Sequence, residues 1–299
     1  MSRRPGARFN RGRIATVAAP PALVGAQGFD VEIVASKLDP LAADTGFAVN
    51  IVAGLDGGFS PEDVAGGVVW IDMQDPSAYT AGANVSAVVN KFSSVSWTEA
   101  TSQPTFSATG INGYPCMDFN GVGNKILHAE AAVLAASANQ LDYYVAMIVD
   151  ADDLDAVEVI FGTGISTHAS AGSKRWGTNT TGAGRWTAIG TNDAAVGTVA
   201  DTAGSTVSDP VLFEAYSETQ VTGIRINGAA VNMAAGGAVG TPTAYGALTS
   251  DRGAIGCKPS STLVSFFDGR VGEILQYGLI SEPDKALIRA YLIDKWDIV

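Results

Sequence analysis

At 299 residues, with 46% hydrophobic and only 16% charged side chains, the chain can hold one large domain or two ordinary ones around a sizeable core. Thirty-five glycines and low charge suit packed sheets joined by tight turns, and also a protein largely covered by neighbours in an assembly. No run of about eighteen apolar residues occurs, which argues against a membrane-spanning helix, and two cysteines, Cys116 and Cys257, are too few for a disulfide framework.

The net charge of −12 is unevenly spread. Arg3, Arg4, Arg8, Arg11 and Arg13 fall in the first thirteen residues with no acid among them; the remainder sets 13 basic against 30 acidic residues, about −17. A body of that sign repels nucleic acid and acidic membranes, whereas the arginine-rich start attracts acidic surfaces. No apolar stretch follows these arginines, so they do not read as a signal peptide. Residues 1–60 differ in texture from the rest, with short apolar runs at Val31–Val34 and Phe47–Val52 between Pro and Gly. We read them as an extended anchoring arm that docks on an acidic partner surface and adds strands to a neighbouring subunit; a plain linker or a solubilising end is the alternative. Nucleic acid would be met only through the arginines, and with Phe9 the one aromatic nearby, without base recognition.

From Ser60 onward, strand signals recur at short intervals with turn residues between them. The predicted strands are Val68–Met73, Ser86–Phe92, Val95–Thr98, Thr105–Ala108, Pro115–Phe119, Tyr143–Val149, Val157–Phe161, Arg185–Ile189, Val211–Ser217, Gly223–Ile226, Gly253–Gly256 and Arg270–Tyr277. Asn227-Gly228 signals a tight hairpin turn with Val231–Met233 as the return strand, and Glu130–Ala138 reads as a short helix. Near the end, Ser281 can cap a helix, Asp284 follows three residues later, and Pro283 sits in the first turn. Leu287, Ile288, Tyr291, Leu292 and Trp296 then recur at helical spacing, with Lys285, Arg289 and Asp294 pointing elsewhere. This rhythm is that of an all-β sandwich closed by a short helix.

Three segments carry a resemblance. They are GGVVWIDMQDPSAYT (Gly66–Thr80), the hairpin ATSQPTFSATGINGYPCMDFNGVGNKIL (Ala100–Leu127), and GRVGEILQY with the helix through YLIDKW at the end. Together they resemble the concanavalin A-like, laminin-G-type jelly-roll domains of secreted bacterial proteins and bacteriophage structural proteins, over Pro61 to Val299. The resemblance implies a two-sheet jelly-roll sandwich at 61–299, with the arm at 1–60. Its glycosidase branch would place carboxylates alternately on one strand, an E-x-D-x-E pattern that this sequence lacks.

The remaining chemistry is sparse. Glu214 and Glu218 flank one strand, and His128 and His168 lack the neighbours of a relay or a zinc site. Asp152, Asp153 and Asp155, with Glu158, crowd a loop in which oxygen ligands would suit calcium; a solvated turn is the alternative. Two aromatic–basic pairs, Arg175-Trp176 (after Lys174) and Arg185-Trp186, flank a Gly/Thr loop and would present indoles and guanidinium groups to a sugar; core indoles are the alternative. Trp70, Trp97 and Trp296 read as core anchors. The expectation is a non-enzymatic bacteriophage virion subunit (capsid decoration, head fibre or tail part), homo-oligomeric. Its arm would bind other virion proteins and its outward sandwich a host glycan, with no cofactor unless calcium. The alternative is an extracellular bacterial carbohydrate-binding module.

Overall fold

In the computed structural model the chain divides into two compact units, Met1–Gly54 and Leu55–Val299. The structure describes residues 58–128, 142–152, 157–164, 174–179, 185–191, 197–201, 210–218, 221–231, 252–259 and 263–299. All of these belong to the second unit. The arm arginines and the helix expected at Glu130–Ala138 lie outside the described residues.

After a 3-10 turn at Pro61–Asp63, capped by Ser60, the strands are β1 (Gly67–Asp72), β2 (Tyr79–Ala81), β3 (Val85–Asn90), β4 (Val95–Thr98), β5 (Thr105–Ile111), β6 (Tyr114–Asn120), β7 (Ile126–His128), β8 (Tyr143–Ala151) and β9 (Glu158–Gly164). There follow β10 (Lys174–Asn179), β11 (Arg185–Thr191), β12 (Gly197–Asp201), β13 (Val211–Glu218), β14 (Val221–Ile226), β15 (Ala229–Ala230), β16 (Arg252–Ile255) and β17 (Asp268–Tyr277), then the helix α1 (Glu282–Trp296). Every expected strand is present within a few residues, except that the return strand is Ala229–Ala230 instead of Val231–Met233. The short or polar strands β2, β7, β10 and β12 carried no signal.

The strands form an eight-stranded sheet, in the order β15-β14-β13-β8-β17-β6-β5 with β1 also on β17, and a nine-stranded sheet, β12-β11-β10-β9-β16-β7-β4-β3-β2. All the pairings are antiparallel, and the architecture is a two-sheet jelly-roll sandwich. Alternation along β8 decides which face is which: Tyr143 meets Trp176 of the other sheet edge-on at 5.4 Å, so the odd positions face the sandwich core. Tyr144 faces outward and hydrogen-bonds Glu214, under α1.

β17 is the centre of the first sheet. Its first residues pair with β6 and its last with β1, end to end on the same side, across a bulge at Val271/Glu273. Gly272 lies at that bulge because a Cβ there would come within 2.5 Å of the Trp296 ring. The outer edge of β1 is closed by a side chain. Asn90, buried at the end of β3, accepts from the Trp70 N–H at 2.9 Å and donates to the Val68 carbonyl at 2.8 Å. Asn90→Ala leaves two buried backbone groups without partners and should cost about 2–4 kcal/mol. Urea unfolding with an unchanged m-value is the check.

Helix α1 begins as expected, with Ser281 Oγ accepting from the Asp284 N–H. Its buried face differs: Lys285, Ile288, Leu292 and Trp296 are inside, whereas Leu287 is 41% exposed. Lys285 turns inward because its ammonium is taken by Glu282 and Glu218 and lies over the Tyr216 ring at 5.1 Å. Arg289, expected to face away, reaches inward too and grips Glu214 through two bonds of 2.8 Å. Cys116 and Cys257 are both buried free thiols, and burial pushes each up to about 12.

Candidate binding face

Paired carboxylates are the first thing to test in such a sandwich. Glu214 and Glu273 are fully buried under α1, and both are engaged. Glu214 accepts from Tyr144 and from the Arg289 fork; Glu273 accepts from Trp70 Nε1 (2.9 Å), Trp296 Nε1 (2.7 Å), Tyr291 OH (3.2 Å) and Lys295 Nζ (2.7 Å). Burial, with Asp72 beside it, raises the Glu273 carboxyl above the usual range. Carboxylates placed this way hold the helix on the sheet. Glu218, the other acid on β13, is joined to Lys285.

The two aromatic–basic pairs lie on the adjacent strands β10 and β11, with Trp176 opposite Ala188 and Thr178 opposite Trp186. Alternation separates what the sequence places side by side. Trp176 stacks on Phe161 at 5.2 Å and 15°, and Trp186 packs on Phe213 at 5.4 Å. Both indoles are at most 1% exposed. An indole without an accessible face offers no stacking platform, so Trp176 and Trp186 belong to the core, which corrects the sugar-platform reading of these two residues. Arg185 pairs in register with Asn179 at the hairpin end; its side chain lies outside the described residues.

Arg175 is left on the opposite, outer face. It sits across from Gly162, which sits across from Ala254, Leu127 and Thr98 in turn, a row over five strands. Arg175 is half-buried, and its guanidinium has a buried Nε–H with no hydrogen-bond partner. Burial alone pushes it below the usual arginine value. Lys258, just past β16, is lowered by its own burial and then by the field of Arg175. Arg252 shares the face by alternation with Ala254, and Lys125 by alternation with Leu127; Lys125 is paired with Glu99 at 3.4 Å. A buried N–H without an acceptor costs about 1–3 kcal/mol, and native proteins carry few such groups. The buried Nε–H is out of a ligand's reach, whereas the terminal Nη groups suit an oxyanion, taken end-on through two parallel N–H···O bonds. Lys258 and Arg252 carried no sequence signal, because one follows a strand end and the other opens a four-residue strand.

Asp152 is exposed and stands 3.9 Å from Arg270, which also binds Asp150 at 2.6 Å and Asp118 at 3.6 Å. Arginine therefore occupies the centre of these carboxylates. Asp153 and Asp155 lie outside the described residues, among which no group of His, Cys, Asp and Glu is arranged to hold a metal ion.

No protein-family model matches the chain, and no curated protein matches it. Solved structures are similar in part. The Ruminococcus gnavus IT-sialidase CBM40 has 12% identity and a TM-score of 0.46 over 58% of this chain and 96% of its own. The Trypanosoma rangeli sialidase in complex with the inhibitor DANA has 13% identity and a TM-score of 0.47, over 74% of this chain and 32% of its own. The K499G mutant of NanB sialidase from Streptococcus pneumoniae has 12% identity and a TM-score of 0.44, over 57% and 27%. The chain thus spans about a quarter to a third of the length of the whole sialidases it matches.

Proposed function

We propose that the sandwich is a non-catalytic carbohydrate-binding module whose nine-stranded sheet takes the anionic group of a glycan at Arg175. The observation that carries this is the half-buried Arg175 guanidinium on the outer face of a sheet, held below the usual arginine value by burial with no carboxylate offsetting it among the described residues. Buried positive charge is ordinarily paired; one kept unpaired at a surface is matched to a ligand that supplies the negative charge. The carboxylates that a hydrolase would need are, by contrast, spent on the helix. The proposed setting is display on a bacteriophage particle. The arginine-rich arm and the resemblance of the two ends of the chain support that setting, with the arm binding other virion proteins.

A glycan array with matched acidic and neutral sugars tests the binding reading. The bound glycans should all bear a carboxylate or sulfate, and Arg175→Ala should reduce binding at least tenfold, about the 1.5–3 kcal/mol of a charged hydrogen bond. Arg175→Lys, which keeps the charge and loses the fork, should fall between the two. Equal binding of neutral and acidic glycans, or indifference to Arg175→Ala, would sink the proposal.

A further inference from the structure

We infer that the core of the sandwich is wet at one end. Ordered water lies there between the two sheets, held by Gln276 of β17, with Trp176 of β10 and Thr163 of β9 as its further partners.

Two polar side chains interrupt the run of β17 from Val271 to Tyr277, and both Glu273 and Gln276 are fully buried. Glu273 faces α1 and anchors it. Gln276 faces the other way, since it pairs in register with Val145, one of the odd positions of β8 that point into the sandwich. Neither its amide oxygen nor its amide nitrogen has a hydrogen-bond partner among the described residues. Its own sheet is poorly placed to supply one. β17 is flanked here by β8 on one side and β1 on the other, and their backbone groups already pair in the ladder.

The same end of the core holds two more such groups. Tyr143, the next inward residue along β8 from Val145, meets the Trp176 ring edge-on at 5.4 Å, which brings Trp176 to the Gln276 end. The Trp176 Nε1–H has no acceptor among the described residues, although the side chain is fully buried. β9 starts beside the end of β8, because the Asp268 backbone bonds both Asp152 and the Glu158 carboxylate. It therefore runs back toward the level of Tyr143, carrying first Phe161, on which Trp176 stacks, and then Thr163. Thr163 lies on the inward side by alternation, is 1% exposed, and its hydroxyl is likewise unbonded among the described residues.

These three buried side chains set an indole N–H and an amide NH2 as donors beside an amide oxygen as acceptor and a hydroxyl that is both. Native proteins leave few such groups unbonded. A buried water molecule donates and accepts, making about three hydrogen bonds, which suits a mixed and uncharged set of this kind.

NMR on the isotope-labelled full chain tests the inference directly. Cross-relaxation from water to the Gln276 side-chain amide and to the Trp176 indole N–H should carry the sign of water that tumbles with the protein. Gln276→Met keeps the length of the side chain and removes both hydrogen-bonding groups. It should raise the unfolding equilibrium constant about tenfold or more, because the water loses its main partner and the Trp176 and Thr163 groups stay behind in the core. Lack of the water signal at the Gln276 amide would overturn the inference. So would a Gln276→Met variant as stable as the wild type or more so, the result for an amide buried dry, whose removal relieves an unmet need. The relaxation signals are read on the unaltered chain and decide the matter if the variant does not fold.

Discussion

Replacing Glu273 by alanine should lower the unfolding free energy by about 3–5 kcal/mol, the usual cost of removing one member of a buried, hydrogen-bonded ion pair. Glu273 is the point at which three elements meet. Trp70 of β1, Trp296, Tyr291 and Lys295 of α1, and its own strand β17 are joined through a single carboxylate. Without it two buried indole N–H groups lose their acceptor, and the Lys295 ammonium keeps Asp72, at 2.7 Å, and the Tyr291 hydroxyl, at 2.9 Å. Glu273→Gln should fall between wild type and alanine, since the amide still accepts one bond but carries no charge for Lys295. Urea unfolding followed by tryptophan fluorescence reads both, and a loss below about 1 kcal/mol for the alanine variant would show that the carboxylate is not the anchor described.

Arg289→Met should cost a similar 3–5 kcal/mol, for the complementary reason. It leaves the fully buried Glu214 carboxylate with only the Tyr144 hydroxyl. The telling comparison is Glu214→Leu/Arg289→Met, which removes both charges and fills the space with apolar side chains of similar size. The double variant should recover most of the loss, so that the pair shows a coupling of at least about 2 kcal/mol in a double-mutant cycle. If the two single losses simply add, the stabilisation comes from the arginine stem packing under α1, not from the charge pair.

These two sites also show what was legible in the chain. The β17–α1 stretch could be read because its apolar period changes from strand to helix at a serine cap, and the INGYP hairpin and the terminal KWD turn out to touch. Asn112 donates to the Trp296 and Asp297 carbonyls, and Tyr114 meets the Trp296 ring and the Asp297 carboxylate. The second Asn-Gly turn does the same work, Asn227 donating to the Val299 carbonyl. In both turns a left-handed asparagine precedes a left-handed glycine, as a two-residue hairpin loop demands.

The candidate site was half legible, and the reason is geometric. Neighbours in a strand point to opposite faces, so an Arg-Trp dipeptide cannot present both side chains to one ligand. Once Trp176 and Trp186 were claimed by Phe161 and Phe213, the arginine of the first pair remained on the outer face, and the side chain of the second lies outside the described residues. Lys285 was illegible for another reason. Its burial depends on Glu218 and Tyr216, brought to it from nearly seventy positions earlier in the chain, and no local pattern announces such a partner.

The central place of β17 bears on how the chain is made. The strand that separates β8 from β6 and β1 is the last strand in the sequence, and the helix that covers it follows directly. During synthesis the eight-stranded sheet therefore exists as three unjoined pieces, β15-β14-β13-β8, β6-β5 and β1 alone, until Asp268–Tyr277 has left the ribosome. Each piece waits with an open edge, and most pairings of this sheet bridge distant parts of the sequence, the arrangement that folds slowly. A product cut short anywhere before Asp268 has no way to close, so incomplete chains carry exposed strand edges that mark them for degradation or aggregation.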